Sequence, residues 1–397
     1  MTGSRMNQPG AVRRITGVQI SAMIAIGVLA SLIVLVQPVV LAPLAAEGRL
    51  TLKEMGQAAM FESLGMAIAV ALSGLLLRPR NLKLIVAVAA LASVIANWVS
   101  ATGSHEVIAL ARLFNGLTIG MVLWVWTGML TNIELPARYL AIFLALQSAA
   151  GLLLSTLLPG FVVARWGGSG AYAIMAGLSL LNIFIAFLLP SAYPENEEAA
   201  QQRLKLPSLR GMAGLVAVMF HLAAVMALWI YIVPLGQQMG LSKSFVDLTV
   251  SIALGAQIFG GLAGAVCARM NAKLALYISV AASLVGLGMI GADMSSAFFL
   301  TGLALIAFFL IFAPGFQMPY LLEVDPGRGA GMQLISAQQL GFSAGPALTA
   351  LMIHDGIVTP ALFVSGVLYV GTAALVFVTT AFRRRSVASN PGHHPGS

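Results

Sequence analysis

The sequence predicts an all-α integral membrane protein whose twelve transmembrane helices form two similar six-helix bundles. Only 9% of its 397 residues are charged and 59% are hydrophobic, whereas soluble domains carry about 25% charged residues. Twelve apolar segments can be delimited along the chain. Several short patterns of the first half also recur in the second, about 190 residues further on, as expected for a protein built from internal repeats.

The apolar segments are long enough to cross a bilayer as helices. A hydrocarbon core of about 30 Å needs roughly 20 residues at about 1.5 Å each. Transmembrane strands would instead give alternating segments of about 10 residues. The segments lie near 16–41, 56–77, 82–101, 107–131, 139–164, 171–190, 211–235, 246–267, 273–292, 297–320, 331–352 and 357–381.

The basic residues predict the orientation. Sixteen of the 21 Lys and Arg residues lie in one set of loops and tails, and only Arg49, Lys53, Arg165 and Lys243 lie in the other. Because cytoplasmic loops carry the excess of positive charge, both termini are expected in the cytoplasm. A multi-pass protein of the inner or plasma membrane, in contact with the lipid bilayer, is the predicted setting.

The longest polar stretch divides the chain. Residues 191–210 read as a cytoplasmic linker between an N-terminal bundle, 1–190, and a C-terminal bundle, 211–397, which ends in a basic tail expected to be disordered. The repeats fall on either side of this linker. Pro43-Leu44 recurs as Pro234-Leu235, and the run from Gly74 to Lys83 recurs from Gly264 to Lys273.

Several function classes are excluded by the residues that are present. The net charge of +8 sits in short turns without a continuous basic face, so no nucleic-acid partner is predicted. The single Cys267 allows no internal disulfide and no cysteine-rich metal site. Gly341-Phe342-Ser343-Ala344-Gly345 fits a hydrolase nucleophile pattern, but it lies within an apolar helix. We therefore expect no enzyme, no metal and no cofactor.

Two motifs carry a resemblance to a known family. The turns after the second and eighth helices contain Gly74 with Lys83, and Gly264 with Arg269 and Lys273; the fourth helix contains Arg112, Gly116 and Gly120, four residues apart. In these motifs and over nearly its whole length, the chain resembles the major facilitator superfamily of secondary transporters. Arg78 and Ala268 replace the aspartate of the family's turn motif. The resemblance implies two rocking bundles, alternating access to a central site and a functional monomer.

Glu62 and Arg112 form the sharpest candidate site, for proton coupling. A lone arginine in an apolar helix should face the protein interior and have a partner. Both residues lie roughly 7–9 Å past the extracytoplasmic start of their helices. A buried acid beside a cation stays ionised, and separating the two raises its affinity for a proton. The alternative is a static pair that fixes helix packing, or a Glu62 that reaches the membrane interface.

Other polar residues could line a central cavity. His221, near the middle of the seventh helix, is either a proton or substrate contact or a hydrogen-bonded packing residue. Buried amides at matching depths could bind substrate or only join helices, and aromatic residues could form cavity wall or interface anchors. The candidate substrate-binding residues are Gln147, Gln338, Gln339, Asn115, Trp124, Trp229 and Tyr231.

These features predict a secondary active transporter. A mostly apolar, amide-lined cavity favours a small organic or amphipathic solute, and the buried ion pair makes protons the first candidate for the coupling ion. We favour export of such a solute, as by an antiporter, over proton-coupled uptake of a small organic acid. A membrane scaffold or sensor with the same fold is the alternative from another class, and a membrane-embedded enzyme is a third.

Overall fold

The computed structural model describes residues 15–134, 136–193, 206–292, 295–327 and 329–388. These residues fold almost entirely into α-helices. The helices are α1 Gly17–Leu35, α2 Gln37–Ala46, α3 Leu52–Leu76, α4 Leu82–Thr102, α5 His105–Leu130, α6 Pro136–Leu157, α7 Ala164–Ala186, α8 Leu209–Trp229, α9 Ile232–Gln238, α10 Lys243–Val266, α11 Ala272–Gly291, α12 Ser296–Phe312, α13 Pro314–Val324, α14 Gly329–Met332, α15 Leu334–Met352 and α16 Pro360–Ala388. A π-helical turn, Leu158–Val163, joins α6 to α7.

The predicted membrane architecture is confirmed. Among the described residues, nine helices are long and apolar enough to cross a membrane, and the bent pair α12 and α13 makes a tenth span. One of the nine is the 49-residue run Arg138–Ala186. It contains two spans, because Gly167 (φ 60°, ψ −155°) interrupts the helix. Together with α15 this accounts for the twelve predicted segments.

Three of the predicted segments are broken beside a proline. The first splits into α1 and α2 at Val36, two residues before Pro38, and the seventh splits into α8 and α9 before Pro234. The tenth bends by 49° between α12 and Pro314. Proline supplies no N–H and its ring clashes with the preceding turn, so each break falls where the sequence supplies one.

The helix ends define two sides of the protein. On one side, which we call the first-loop side, Arg49 of the α2–α3 loop donates to the carbonyls of Ser100 and Gly103 and to Ser169. On the opposite side, which we call the linker side, the N–H of Leu82 donates to the carbonyl of Ser191. Most of the proposed linker, residues 194–205, and the end of the basic tail lie outside the described residues.

The two halves contact each other through a few specific hydrogen bonds. The indole Nε1 of Trp229 donates to the carbonyl of Leu35 at 3.2 Å. The hydroxyl of Ser343 donates to the carbonyl of Met60 at 3.2 Å, and Ser155 donates to Ser251 at 3.0 Å. Nearer the first-loop side, Gly56 of α3 lies directly against the Tyr231 hydroxyl. These contacts close the first-loop side of the interface between the halves.

Candidate functional site

The structure brings Glu62 and Arg112 together inside the N-terminal bundle. Nη1 of Arg112 lies 3.0 Å from Oε1 of Glu62, and both side chains are fully buried. Glu62 comes from α3 and Arg112 from α5, the two helices that the sequence aligned in depth. The predicted partner of the lone arginine is therefore in place. A role in coupling stays a prediction, as does a purely structural one.

The rest of the guanidinium is also satisfied. Its Nε donates to Ser100 at 3.0 Å, and Nη2 donates to the side chain of Asn97 at 2.9 Å and to the carbonyl of Ala96 at 3.2 Å, all on α4. The Tyr172 ring of α7 lies 4.6 Å from the guanidinium carbon, a cation–π distance. A buried guanidinium has lost its hydration, and such hydrogen bonds and ion pairs compensate for that loss.

The carboxylate of Glu62 has two further donors. Nδ2 of Asn115 lies 2.6 Å from Oε1, and Nε2 of Gln37 lies 2.9 Å from Oε2. Hydrogen bonds to an ionised group are stronger than neutral ones and favour the ionised form. We call Gln37, Glu62, Asn97, Ser100, Arg112 and Asn115 the N-terminal polar network. Asn115 was expected to line a substrate cavity, and here it binds Glu62.

Close helix packing makes this network possible. A methyl group added at Gly116 would collide with the backbone carbonyl of Glu62, and one at Gly120 would lie 2.6 Å from the carbonyl of Met66. Gly65 of α3 faces α5 in the same way. Small residues four apart thus let α3 and α5 approach closely, as the motif in the fourth helix indicated.

A small cavity of mixed polar and apolar lining adjoins the network. It has a volume of about 20 Å³ and its wall includes Ser93, Asn97, Thr118, Ser179 and Asn182. Ser93 donates to Oδ1 of Asn115 at 2.6 Å, which links the cavity to the donor that binds Glu62. The volume suits one water molecule.

His221 lies apart from this network, in the C-terminal half. It is buried on α8, with its ring edge-on to Tyr369 of α16 at 5.8 Å between centroids. Neither ring nitrogen has a hydrogen-bond partner among the described residues. His221 therefore packs against Tyr369, and a role as a proton or substrate contact stays a prediction.

The predicted glutamines do not form one cluster. Gln338 of α15 donates to Oε1 of Gln317 on α13 at 2.8 Å, and Gln339 is buried with its carbonyl oxygen unpaired among the described residues. Gln147 of α6 is half-buried, and no hydrogen bond joins it to the α15 glutamines in the described part of the chain. Interhelical bonding, one of the two alternatives, is found for Gln338.

The predicted aromatic residues are buried, not membrane-interface anchors. Trp124, Trp229 and Tyr231 are each less than a tenth exposed. Trp229 bonds across to Leu35, and Tyr231 meets Gly56. The last two therefore belong to the contact between the halves rather than to the open wall of a cavity.

The turn motifs are built differently in the two halves. Asn81, before Lys83, adopts the left-handed conformation (φ 58°) expected at a tight exit, but Asn271 has φ −59° and caps α11 through its side chain. The two copies of the turn therefore differ in backbone conformation. Lys273 forms an ion pair with Glu323 at 2.6 Å, which joins α11 to α13 within the C-terminal half. Arg269 is exposed.

Sequence reasoning missed several members of the site. Gln37, Asn97, Ser100 and Tyr172 all contact the ion pair, and Gln317 pairs with Gln338. A signal did exist for the first of them, because Gln37 precedes Pro38 in an otherwise apolar run. A polar side chain next to a predicted helix break, in a membrane span, is a candidate for a buried hydrogen bond.

The fold is that of known transporters. The nucleoside transporter NupG covers 92% of this chain and 99% of its own with a TM-score of 0.65 and 14% identity. A D-xylose–proton symporter covers 91% of this chain and 96% of its own with a TM-score of 0.70 and 13% identity. The xylose transporter XylE from E. coli, in a partially occluded inward-open conformation, covers 91% and 97% with a TM-score of 0.67 and 11% identity.

The family rests on sequence as well as on fold. No curated protein sequence matches the chain. The sequence profile of the Major Facilitator Superfamily, however, matches residues 18–346, which is most of the chain. The match covers both turn motifs and the arginine motif of the fourth helix, and it confirms a transporter rather than an enzyme. The chain is a multi-pass membrane transporter that belongs to the major facilitator superfamily.

Proposed function

We propose that this protein couples the movement of a small organic or amphipathic solute to protons, with Glu62 as the proton carrier and Arg112 as its counter-ion. The observation that carries the proposal is the fully buried ion pair between α3 and α5. Glu62 is an acidic side chain fully buried in a membrane span among the described residues. Ionisable groups in such positions are costly, and they commonly mark ion or proton paths.

The position of α3 supports coupling to alternating access. The same helix bonds to the C-terminal half at Met60, two residues from Glu62, and meets it at Gly56, six residues from Glu62. When the halves separate on the first-loop side, α3 loses these contacts. Any accompanying shift of α3 against α5 changes the distance between the carboxylate and the guanidinium, and with it the affinity of Glu62 for a proton.

Export of an amphipathic solute is the direction we favour, and uptake is the second candidate. Gln317, Gln338 and Gln339 offer neutral donors and acceptors rather than a fixed charge, which suits an uncharged or amphipathic solute. Proton-coupled uptake, which we first expected for a small organic acid, is supported for a neutral hydroxylated solute by one structural neighbour, which is named as a D-xylose–proton symporter.

We further propose a monomer in the inner or plasma membrane, with two bundles, 1–190 and 211–397, joined by a linker at 191–210. The linker side faces the cytoplasm in this proposal. Arg49 and Lys53 lie on the first-loop side, whereas Arg78, Arg80 and Lys83 lie on the linker side. The positive-inside rule supports that orientation.

The test uses purified protein in liposomes that enclose a pH-sensitive dye. Amphipathic drugs, organic acids, D-xylose and nucleosides are added in turn to wild type, Glu62→Gln and Glu54→Gln. Glu54 lies on the same helix but forms a capping box with Thr51, which glutamine also supports. We expect substrate-driven proton movement in wild type and Glu54→Gln, and its loss in Glu62→Gln.

Two results would count against the proposal. Equal proton movement in all three proteins makes the ion pair structural. No proton movement with any compound, in a preparation that binds one of them, removes proton coupling and favours a facilitator or a scaffold.

A further inference from the structure

The break in the first transmembrane helix lies beside the ion pair. α1 ends at Leu35 and α2 begins at Gln37, with Val36 between them at φ −98° and ψ 11°. The N–H of Val39 donates to the carbonyl of Val36 at 2.9 Å, one residue short of the helical partner. The carbonyl of Leu35 is thereby released from the helix.

The C-terminal half supplies the hydrogen-bond donor that this carbonyl lacks. The released carbonyl of Leu35 accepts the indole N–H of Trp229 at 3.2 Å. Trp229 is the last residue of α8, directly before the matching break in the seventh span. A buried carbonyl without a donor costs free energy, so docking of the C-terminal half stabilises the broken form of the first span.

Gln37 connects this break to the carboxylate. Its side chain is fully buried, and Nε2 donates to Oε2 of Glu62 at 2.9 Å. Its other amide atom, Oε1, has no partner among the described residues. The hydrogen bond to Glu62 therefore holds the Gln37 side chain in place. A rotation of the α1–α2 junction is enough to break this hydrogen bond.

We propose that Gln37 is a positioning residue that sets the proton affinity of Glu62 according to whether Trp229 is docked on the first transmembrane helix. The inference rests on the proposed role of Glu62 as the proton carrier. With the halves docked, Gln37 stabilises the carboxylate. When Trp229 leaves, the freed carbonyl of Leu35 recovers a backbone donor by rewinding the junction, and the rotation turns Gln37 away from Glu62.

The surroundings of Glu62 make this contribution measurable. The titratable groups next to it are Arg112 on α5 and, beyond the guanidinium, Tyr172 on α7. The other helices packed against α3, namely α2 and α15, carry no titratable side chain. Tyr231, between α8 and α9, meets α3 at Gly56, more than one helical turn from Glu62. The donors to Glu62 on α5 are Arg112 and Asn115, and they belong to a helix packed tightly against α3. Gln37, the donor at the helix break, is therefore the one that the C-terminal half can influence.

Infrared titration of Glu62 tests the inference without a known substrate. The carbonyl stretch of a protonated carboxylic acid is followed against pH in lipid films, and the part due to Glu62 is the part lost in Glu62→Gln. In Gln37→Met the midpoint should rise by about 1 to 2 pH units, the effect of losing one hydrogen bond to a charged group. Trp229→Phe should also raise the midpoint of the Glu62 titration.

A matched control and a double variant complete the design. Gln257 is a fully buried glutamine on α10 with no hydrogen bond among the described residues, so Gln257→Met should leave the midpoint unchanged. If Gln37 transmits the effect, Trp229→Phe should add nothing to Gln37→Met. Independent, additive shifts would overturn the inference.

The remaining outcomes separate the inference from the proposed function. A Glu62 band that titrates identically in wild type, Gln37→Met and Trp229→Phe refutes the role of Gln37 but leaves Glu62 as a proton site. No Glu62 band at any pH refutes both. Should Gln37→Met fail to fold, Trp229→Phe alone still decides, because an unshifted midpoint contradicts the link between docking and proton affinity.

Discussion

Replacing Arg112 with methionine should destabilise the protein in a pH-dependent way. The variant keeps an unbranched side chain but leaves the buried Glu62 carboxylate without its cation. Breaking a buried ion pair by removing one partner costs about 3–5 kcal/mol, because the remaining charge is uncompensated. The three hydrogen bonds from the guanidinium to α4 are lost as well, which puts the expected loss at the upper end, about 5 kcal/mol.

The pH dependence gives the sign of the effect. Without the cation, burial favours the neutral acid over the carboxylate. The folded variant therefore binds a proton that the unfolded chain has already released at neutral pH, and its stability rises as pH falls.

Unfolding in mixed micelles, followed by tryptophan fluorescence, measures the free energy of unfolding. Arg112→Met is compared with wild type and with the double variant Glu62→Gln/Arg112→Met at several pH values. The double variant contains no charge at the site, so it should recover most of the loss at neutral pH. A loss that is the same at every pH, and that the double variant does not recover, would refute the electrostatic reasoning and assign the effect to packing.

Two further variants test the contact between the halves and the isolated histidine. Gly56→Leu should hold the first-loop side open, since any Cβ there meets the Tyr231 hydroxyl. The distance between spin labels on opposite halves should therefore increase. Gly177→Leu, which has open space around it, should leave that distance unchanged. Unchanged distances in Gly56→Leu contradict this. His221→Phe should raise the free energy of unfolding by about 1–3 kcal/mol by removing two unpaired buried nitrogens; a loss of stability would indicate a bound partner at the ring.

The bilayer explains why so much of the fold could be predicted. A spanning chain must satisfy its backbone internally, so apolar runs of sufficient length specify helices without any tertiary information. The lone Arg112 was informative for the same reason, since its cost in hydrocarbon demands a buried partner. Glu62 was the acid at matching depth.

Neutral polar residues carry much weaker signals. Asn97 and Ser100 contact the guanidinium, but amides and hydroxyls are inexpensive enough in a membrane helix to occur without a fixed partner. Their role depends on which faces of α4 and α5 meet, and hydrophobic periodicity does not fix this when both helices are apolar all round. Asn271 shows the same limit on a local scale: its side chain caps α11, so the backbone does not need the left-handed conformation.

The arrangement of contacts restricts how the C-terminal half can influence the ion pair. All the hydrogen-bond partners of Glu62 and Arg112 among the described residues belong to the N-terminal bundle. The C-terminal half contacts the elements that carry them, by hydrogen bonds to the Leu35 carbonyl at the break of the first span and to the Met60 carbonyl on α3, and by packing of Tyr231 against Gly56.

The strength of those contacts suits a switch. Among the described residues, three hydrogen bonds join the halves, through Leu35, Met60 and Ser155, and at about 1 kcal/mol each they contribute about 3 kcal/mol to the closed first-loop side. Moving a two-state equilibrium from 1:99 to 99:1 needs about 5.5 kcal/mol. The hydrogen bonds between the halves are thus too weak to fix one state by themselves.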